Sequence, residues 1–189
     1  MTEGHRIPFY PQHWDLDQWA EMGFKDREEA EYWQESSCGI LCLRMALEGL
    51  GIVPNVPIID LARTGVGMGA YTHEKGWSHD GLCRLAEHYG AEAVSKGTLS
   101  TDDLKRFLDM GRLPIVSIKW AFRDVKTVRE RLLFWKRFGG HLALLIGYDE
   151  TGFIVHHTSI RKEYNWDARH LSFSDFERGS TGRTVMVGR

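Results

Sequence analysis

The run SSCGILCLRMALEGLG, which begins at Ser36, is the feature that most constrains the fold of this chain. At helical spacing its apolar side chains cover most of the circumference, and such a helix has to be buried on nearly every side. Ser36 or Ser37 suits the N-cap, and Gly49 or Gly51 suits the C-terminal end. We therefore predict a central, buried helix whose first turn contains Cys38.

Helix patterns fill the first half of the chain, and strand patterns fill the second half. Two further amphipathic runs, SHDGLCRLAEHYG and STDDLKRFLDMG, start at a serine that can cap a helix and end at a glycine. Residues 124–138 also have helical spacing. Strand patterns occur at residues 113–120, 142–148, 153–157 and 184–187. The turn at 149–152 predicts that the two middle runs pair as an antiparallel hairpin, and helices segregated from strands indicate an α+β fold.

The remaining segments complete a single domain. A chain of 189 residues has the usual size of one domain. Residues 1–33 are predicted to be an N-terminal extension, packed on or near a domain of residues 34–189, with a short surface helix in KDREEAEYWQ. The run TGVGMGAYTHEKGW is predicted to be a glycine-rich loop.

Composition argues against several classes of function. The 24 Lys and Arg residues against 26 Asp and Glu give a net charge of -2, so the chain lacks the positive field that nucleic acid or anionic lipid attracts. No apolar run has the length of a signal peptide or of a membrane span. The three cysteines, Cys38, Cys42 and Cys83, favour free thiols in a reducing cytoplasm over a disulfide framework.

Cys38 is the candidate nucleophile, because a helix N-terminus lowers the pKa of a thiol through its free N–H groups and its dipole. Gly39 removes a side chain beside the sulfur, which leaves room for a carbonyl carbon and for an oxyanion facing backbone N–H groups. Cys42 and Cys83 have apolar neighbours and are interpreted as core thiols. Since a free cysteine is more commonly a buried structural residue, the assignment of Cys38 depends on a matching base.

His141 is the candidate base. It begins the LALLIGY strand, which fixes its ring, and Gly139 and Gly140 before it leave space for a substrate. A histidine at the start of a strand is by itself more often structural. The combination with Cys38 is what favours a catalytic role.

Taken in order, the runs QESSCGILCLRMAL, GWSHDGLCRLAEHYG, STDDLKRFLDMGRLPIVSI and GGHLALLIGYDETGFIVHH resemble the papain-like cysteine peptidases of family C-thirty-nine. That group includes the bacteriocin-leader, double-glycine peptidases of bacteria. The resemblance covers about residues 34–187 and implies a papain-like α+β fold with Cys38 as nucleophile and His141 as general base. It also implies Gln34 as the candidate donor to the oxyanion, although Gln34 lies closer to the cysteine than is usual in papain-like enzymes.

The third catalytic residue departs from this resemblance. The family usually has Asp or Asn at the end of the strand after the histidine, where this chain has VHHTS and the alignment places His157. Strand alternation puts His156 on the opposite face, so only one of the two can face His141. A neutral imidazole can hold the tautomer of the base but supplies no negative charge. The alternatives are Asn165, Asp167, or a site that has lost its triad.

The function expected from these residues is hydrolysis of a peptide or amide bond through an acyl-enzyme on Cys38. Acyl transfer uses the same Cys-His pair, and a catalytically silent binding module on the same fold is the alternative from a different class. The expected partner is a peptide or acyl substrate, with no nucleic acid and no membrane. No metal or cofactor is expected, because the cysteines and histidines show neither CxxC nor HExxH spacing.

Overall fold

The computed structural model describes residues 6–52, 56–119, 122 and 141–189. Its α-helices are α1 (Arg27–Ser36), α2 (Cys38–Gly49), α3 (Ile58–Gly67), α4 (His79–His88), α5 (Thr101–Asp109) and α6 (Phe173–Gly179). Its strands are β1 (Tyr71–Thr72), β2 (Gly76–Trp77), β3 (Glu92–Lys96), β4 (Leu113–Ile118), β5 (His141–Tyr148), β6 (Gly152–His157), β7 (Trp166–Ser172) and β8 (Ser180–Gly188). The helix predicted at 124–138, together with Gly139 and Gly140, lies outside the described residues.

Helix α2 lies at the centre of the fold, as its apolar run predicts. Its residues 40–43 and 45–47 are buried, and the helix packs against α3, α4 and β5. Each large apolar side chain buried in this way contributes about 1.5–3 kcal/mol. The N-cap, Ser37, makes no side-chain hydrogen bond to the helix. Packing therefore holds the first turn of α2, and with it Cys38, in place.

An antiparallel sheet carries the second half of the chain. The strand order is β3-β8-β4-β5-β6-β7. Strand β5 pairs with β4 on one side, where His141 lies opposite Ile118, and with β6 on the other side, where Ala143 lies opposite His157. The predicted hairpin of β5 and β6 is confirmed, and its register brings the end of β6 close to the start of β5.

The two faces of β5 belong to two different cores. Leu142 and Leu144 join the core that contains α2, whereas Ala143 and Leu145 join a second core that contains Phe176 of α6. This alternation is what a strand buried on both faces requires. The sheet thus lies between the central helix and a smaller apolar layer, and the predicted α+β architecture is confirmed.

The caps predicted from local sequence are confirmed at two helices. The Ser78 hydroxyl caps α4, and Ser100 forms a reciprocal capping box with Asp103 at the start of α5. Helix α1 coincides with most of the KDREEAEYWQ run and buries Ala30 and Trp33. The predicted surface helix is therefore amphipathic, with one face in the core.

The prediction of a glycine-rich loop is wrong in its first part. Residues 64–67 form the end of α3, and β1 then pairs with β2 in a short hairpin. Gly65 is needed at this point because the Trp77 ring lies directly against it. A Cβ on Gly65 would lie 2.5 Å from Cζ3 of Trp77. Gly65 therefore belongs to a helix, where it allows the indole to pack closely, although the sequence pattern predicts a loop at this position.

The described part of the N-terminal region packs on the rest of the domain. Ile7 fills the space beside Gly49, and the Tyr10 hydroxyl donates to Glu48 over 2.5 Å. Phe24 is buried in the core that contains α2. The domain boundary after residue 33 stays a prediction.

Among the described residues, no helix combines the length and the apolar character that a membrane span requires.

Candidate active site

Cys38 is the first residue of α2 and is only 5% exposed. Burial raises the pKa of Cys38 to about 11, although hydrogen bonds from the backbone N–H groups of Leu142, Gly39 and Cys38 itself act to lower it. The resting sulfur is therefore a neutral thiol at pH 7. Because Leu142 directly follows His141, its hydrogen bond joins the start of α2 to the start of β5.

His141 is the first residue of β5, and its ring is half-buried. Its Nε2 atom lies 2.8 Å from the carbonyl oxygen of Thr158 and 2.9 Å from Nε2 of His157. Since a carbonyl only accepts, the hydrogen bonds assign the proton to Nε2 and leave the lone pair on Nδ1. Burial lowers the pKa of His141, and the bond to Thr158 opposes this only in part. The ring is a neutral base with Nδ1 as its basic atom.

His157 is the last residue of β6 and lies on the far side of His141. It is fully buried, and its Nδ1 donates to the carbonyl oxygen of Tyr164. That donation leaves Nε2 of His157 as the acceptor for the Nε2–H of His141. Burial, followed by the charge of a protonated His141, lowers the pKa of His157 to about 3, although the Tyr164 carbonyl acts to raise it. His157 is therefore a neutral acceptor at pH 7.

Tyr164, His157 and His141 form a directed chain of hydrogen bonds. The His141 ring donates its N–H to His157, and the His157 ring donates its N–H to the carbonyl oxygen of Tyr164. The nitrogen left with a free lone pair is therefore Nδ1 of His141. Trp166 packs beside His157 with ring centroids 5.1 Å apart, which keeps water away from the buried ring. This arrangement holds a tautomer and an orientation. It contains no carboxylate that stabilises a positively charged imidazolium.

The two other candidates for the third residue make different contacts. The Asn165 amide donates to the carbonyl oxygen of Ser159 over 2.8 Å, and Asp167 forms an ion pair with Arg6 at 3.2 Å. Within the part of the chain that the structure describes, neither side chain contacts His141. The structure thus brings His157 to the base, whereas Asn165 lies directly before β7 and Asp167 lies within β7.

Two glutamines, Gln34 and Gln12, make different contacts. The Gln34 amide nitrogen donates to the carbonyl oxygen of Trp14 over 2.8 Å, so it is engaged with the N-terminal region. Gln12 is only 2% exposed, and its Oε1 accepts from the Thr158 hydroxyl over 3.4 Å. Thr158 is also the residue whose carbonyl binds His141. Sequence reasoning missed Gln12, because a glutamine in YPQHW has no local pattern that links it to the site.

The space beside Gly39 is occupied by protein. A Cβ on Gly39 would lie 2.9 Å from Cγ of Trp77, so the indole occupies the volume predicted to admit a substrate carbonyl. The Trp77 Nε1–H donates to the carbonyl oxygen of Ser36 over 2.7 Å. Gly39 is therefore needed for the close approach of Trp77 to the first turn of α2. Trp77 is a second residue of the site that the sequence did not indicate.

The other two thiols lie in the core, as predicted. Cys42 and Cys83 are both buried, and burial raises their pKa values, that of Cys83 to about 11. The backbone hydrogen bond from Leu142 is what links Cys38 to the strand of His141. Across residues 6–52, 56–119, 122 and 141–189, no group of three or more His, Cys, Asp or Glu side chains is arranged to hold a metal ion.

Comparisons with known proteins agree with this architecture. Residues 6–179 match the sequence model of the Peptidase_C39 like family. A comparison with curated proteins found no match.

Solved structures share the fold at low sequence identity. A double glycine motif protease from an AMS/PCAT transporter, in complex with the leader peptide, has a TM-score of 0.58 at 16% identity, covering 100% of this chain and 97% of that chain. The peptidase domain of Streptococcus ComA, a bi-functional ABC transporter involved in a quorum sensing pathway, has a TM-score of 0.57 at 18% identity, with coverages of 81% and 91%. A candidate C39-like peptidase from Bacillus anthracis has a TM-score of 0.61 at 16% identity, with coverages of 97% and 95%.

Proposed function

Because the chain belongs to the Peptidase_C39 like family of cysteine peptidases, we propose that it hydrolyses a peptide bond with Cys38 as nucleophile and His141 as general base. The observation that carries this proposal is the hydrogen-bond chain from Tyr164 through His157 to His141, together with the Leu142 N–H that binds the sulfur of Cys38. The relative solved with a leader peptide supports a peptide as the substrate.

The reaction follows from the tautomer of His141. As the Cys38 sulfur attacks the carbonyl carbon, Nδ1 of His141 takes the thiol proton and later gives it to the leaving amine. This produces a thioester on Cys38 and a free amine. A water molecule then gives a proton to Nδ1 and attacks the thioester, which releases the acid and restores the thiol. His157 orients the base throughout by accepting its Nε2–H.

The resting pair of Cys38 and His141 is neutral in this proposal. Burial raises the pKa of the thiol and lowers the pKa of the imidazole, so both shifts oppose a thiolate–imidazolium pair. The proton therefore moves during the attack on the carbonyl carbon. A neutral His157 in place of a carboxylate is consistent with this order of events, because it adds no negative charge beside the base.

Gln12 is the better-supported donor to the oxyanion. Its Oε1 is held by Thr158, which leaves the amide N–H groups as the end available to a developing negative charge. The family resemblance implies Gln34 for this role, but the Gln34 amide donates to Trp14. We therefore propose Gln12 as the oxyanion donor and keep Gln34 as the alternative.

The proposed setting is the cytoplasm of a bacterium, with a peptide as the partner. All three cysteines are free, and a reducing compartment keeps the nucleophile as a thiol. Two of the solved neighbours come from Streptococcus and Bacillus anthracis, which supports a bacterial source.

The test is cleavage of a proteome-derived peptide library, with new termini read by mass spectrometry. We expect the wild-type protein to generate new termini and Cys38→Ala to lose them entirely. Cys83→Ala is the matched control, because Cys83 is a buried thiol on α4, and we expect it to retain cleavage. Cleavage that persists in Cys38→Ala contradicts the proposed nucleophile. Absence of cleavage by the folded wild-type protein favours the silent binding module.

A further inference from the structure

A cavity of about 550 Å³ lies between the helical half and the sheet. This volume is within the usual range for a site that binds a small molecule or a peptide side chain. The residues that line it and carry the inference are Lys75, Trp77, His79, Ser117, Leu142 and Arg183. They come from the β1–β2 hairpin and α4 on one side and from β4, β5 and β8 on the other.

The cavity adjoins Cys38 through two of its walls. Leu142 lines the cavity, and its backbone N–H binds the Cys38 sulfur. Trp77 lines the cavity and packs against Gly39, the residue after Cys38. An extended peptide advances about 3.3–3.6 Å per residue. A substrate whose carbonyl carbon lies at the sulfur therefore places a side chain in the cavity from one or two residues away.

The charged side chains around the cavity are mainly positive. Arg183 and Lys75 line it and are exposed, and no ion pair joins either to a carboxylate of the described residues. Asp80 is the one carboxylate among the lining residues that the structure describes. After burial, the charge of Arg183 is the next cause that lowers the pKa of His79, so the guanidinium acts toward the interior of the cavity.

A neutral pair of hydrogen-bonding groups lies inside the cavity. His79 Nε2 and the Ser117 hydroxyl are 2.7 Å apart, and Ser117 is only 6% exposed. When the His79 ring donates to Ser117, the hydroxyl hydrogen is free to donate to an oxygen of a ligand. The cavity thus combines exposed positive charge at its edge with a hydrogen-bonded polar pair inside.

We infer that this cavity is a substrate subsite for the carboxylate of a glutamate or aspartate side chain, with Arg183 as its principal charge contact. The inference names the substrate class of the proposed peptidase, an acidic peptide, and it rests on Cys38 being the nucleophile. A carboxylate suits this cavity because it pairs with the guanidinium and accepts hydrogen bonds. An apolar side chain would bury the Ser117 and His79 groups without replacing their contacts with water.

The experiment compares matched peptides. Cleavage sites are first located in the proteome-derived library, and one cleaved sequence is then synthesised with Glu and with Gln at each of the two positions on either side of the scissile bond. We expect kcat/KM to be about fivefold to tenfold higher for Glu at one position. Arg183→Gln brings this ratio to within about twofold of unity, whereas Arg183→Lys keeps a preference for Glu. The control is Arg84→Gln on α4, an exposed arginine outside the lining, which leaves the ratio as in the wild type.

The outcomes separate this inference from the proposed function. Cleavage that depends on Cys38 but shows no preference for Glu overturns the subsite and leaves the peptidase intact. A Glu preference that survives Arg183→Gln overturns it as well. If no peptide is cleaved in a manner that depends on Cys38, the proposed nucleophile is wrong and the subsite falls with it.

Discussion

Two adjacent histidines at the end of β6 point to opposite faces of the strand and have two different roles. His156 and His157 are adjacent and both buried. His157 accepts from His141, whereas the Nε2 of His156 donates to the carbonyl oxygen of Ile7 over 3.2 Å and its Nδ1 accepts from the Ala168 N–H over 3.0 Å. One face of the strand therefore orients the base, and the other anchors the N-terminal region.

Both faces serve the same site through different routes. His157 acts on the base directly, through a single hydrogen bond. His156 acts at a distance, because the segment that it binds at Ile7 continues to Gln12, whose side chain reaches Thr158. Substitutions that separate these two routes therefore provide the tests of the proposed mechanism.

The largest effect is expected for His157→Ala. The substitution removes one of the two acceptors at Nε2 of His141 and leaves a space beside the ring, so the ring loses its fixed orientation although the Thr158 carbonyl still accepts. Loss of the third residue's function in a triad costs up to about 10⁴ in kcat. We expect kcat to fall by about 10²-fold or more while the protein remains folded. The measurement is steady-state kinetics on a cleaved library peptide, with circular dichroism to check the fold.

Replacement of His157 by an amide side chain tests whether His157 acts as a hydrogen-bond acceptor for His141. His157→Asn keeps an acceptor oxygen for the His141 N–H, so we expect it to recover most of the activity that His157→Ala loses. If His156→Ala lowers kcat more than His157→Ala does, the assignment of the two faces is wrong.

The next effect concerns the two glutamines. Removal of a donor to an oxyanion costs about 10²–10³ in kcat. We expect Gln12→Ala to lower kcat by about 10²-fold with little change in KM, and Gln34→Ala to change it by less than about threefold. Because both variants replace a glutamine by alanine, Gln34→Ala serves as the matched control. The reverse order would return the role of oxyanion donor to Gln34.

Stability in acid is the third comparison. The pKa of His157 is lowered from 6.5 to about 3 in the folded protein, so the unfolded chain binds more protons between these values. The contribution of His157 to the free energy of unfolding is fully present above about pH 6.5. It decreases as the pH falls, by up to about 1.4 kcal/mol per pH unit. Burial lowers the pKa values of His141 and His156 as well, which adds to the decrease in the same direction.

The measurement is urea unfolding from pH 4 to pH 7. His157→Asn removes one titrating group, so the free energy of unfolding should depend less steeply on pH. An identical slope in His157→Asn and the wild type would mean that His157 does not stay neutral in the fold.

The smallest effect on catalysis is expected for His156→Ala. The substitution leaves the Ile7 carbonyl and the Ala168 N–H without their partner, which costs about 1–3 kcal/mol of stability. Loosening of the segment that carries Gln12 should lower kcat by less than about tenfold. Urea unfolding and steady-state kinetics on one protein preparation give both quantities. A wild-type free energy of unfolding would show that His156 does not anchor the N-terminal region.

Local sequence patterns predicted the elements that position the cysteine and the histidine. The first turn of α2 at Cys38, the capping box at Ser100 and the hairpin of β5 and β6 all follow from residues that are close in sequence. The contact between Gln12 and Thr158 joins residues that are 146 positions apart in the sequence, and no periodicity or cap encodes it. Tertiary packing, which places an indole against a helix glycine, likewise explains why α3 extends into the predicted loop.

The central claim is that a neutral His157 holds His141 with its proton on Nε2 and its lone pair on Nδ1. Nitrogen-15 NMR of the imidazole rings, assigned with His141→Asn and His157→Asn, measures these protonation states directly. At pH 7 we predict two neutral rings, His141 with the Nε2–H tautomer and His157 with the Nδ1–H tautomer. A doubly protonated His141 at pH 7, or a His157 that carries its proton on Nε2, would contradict the proposed chain.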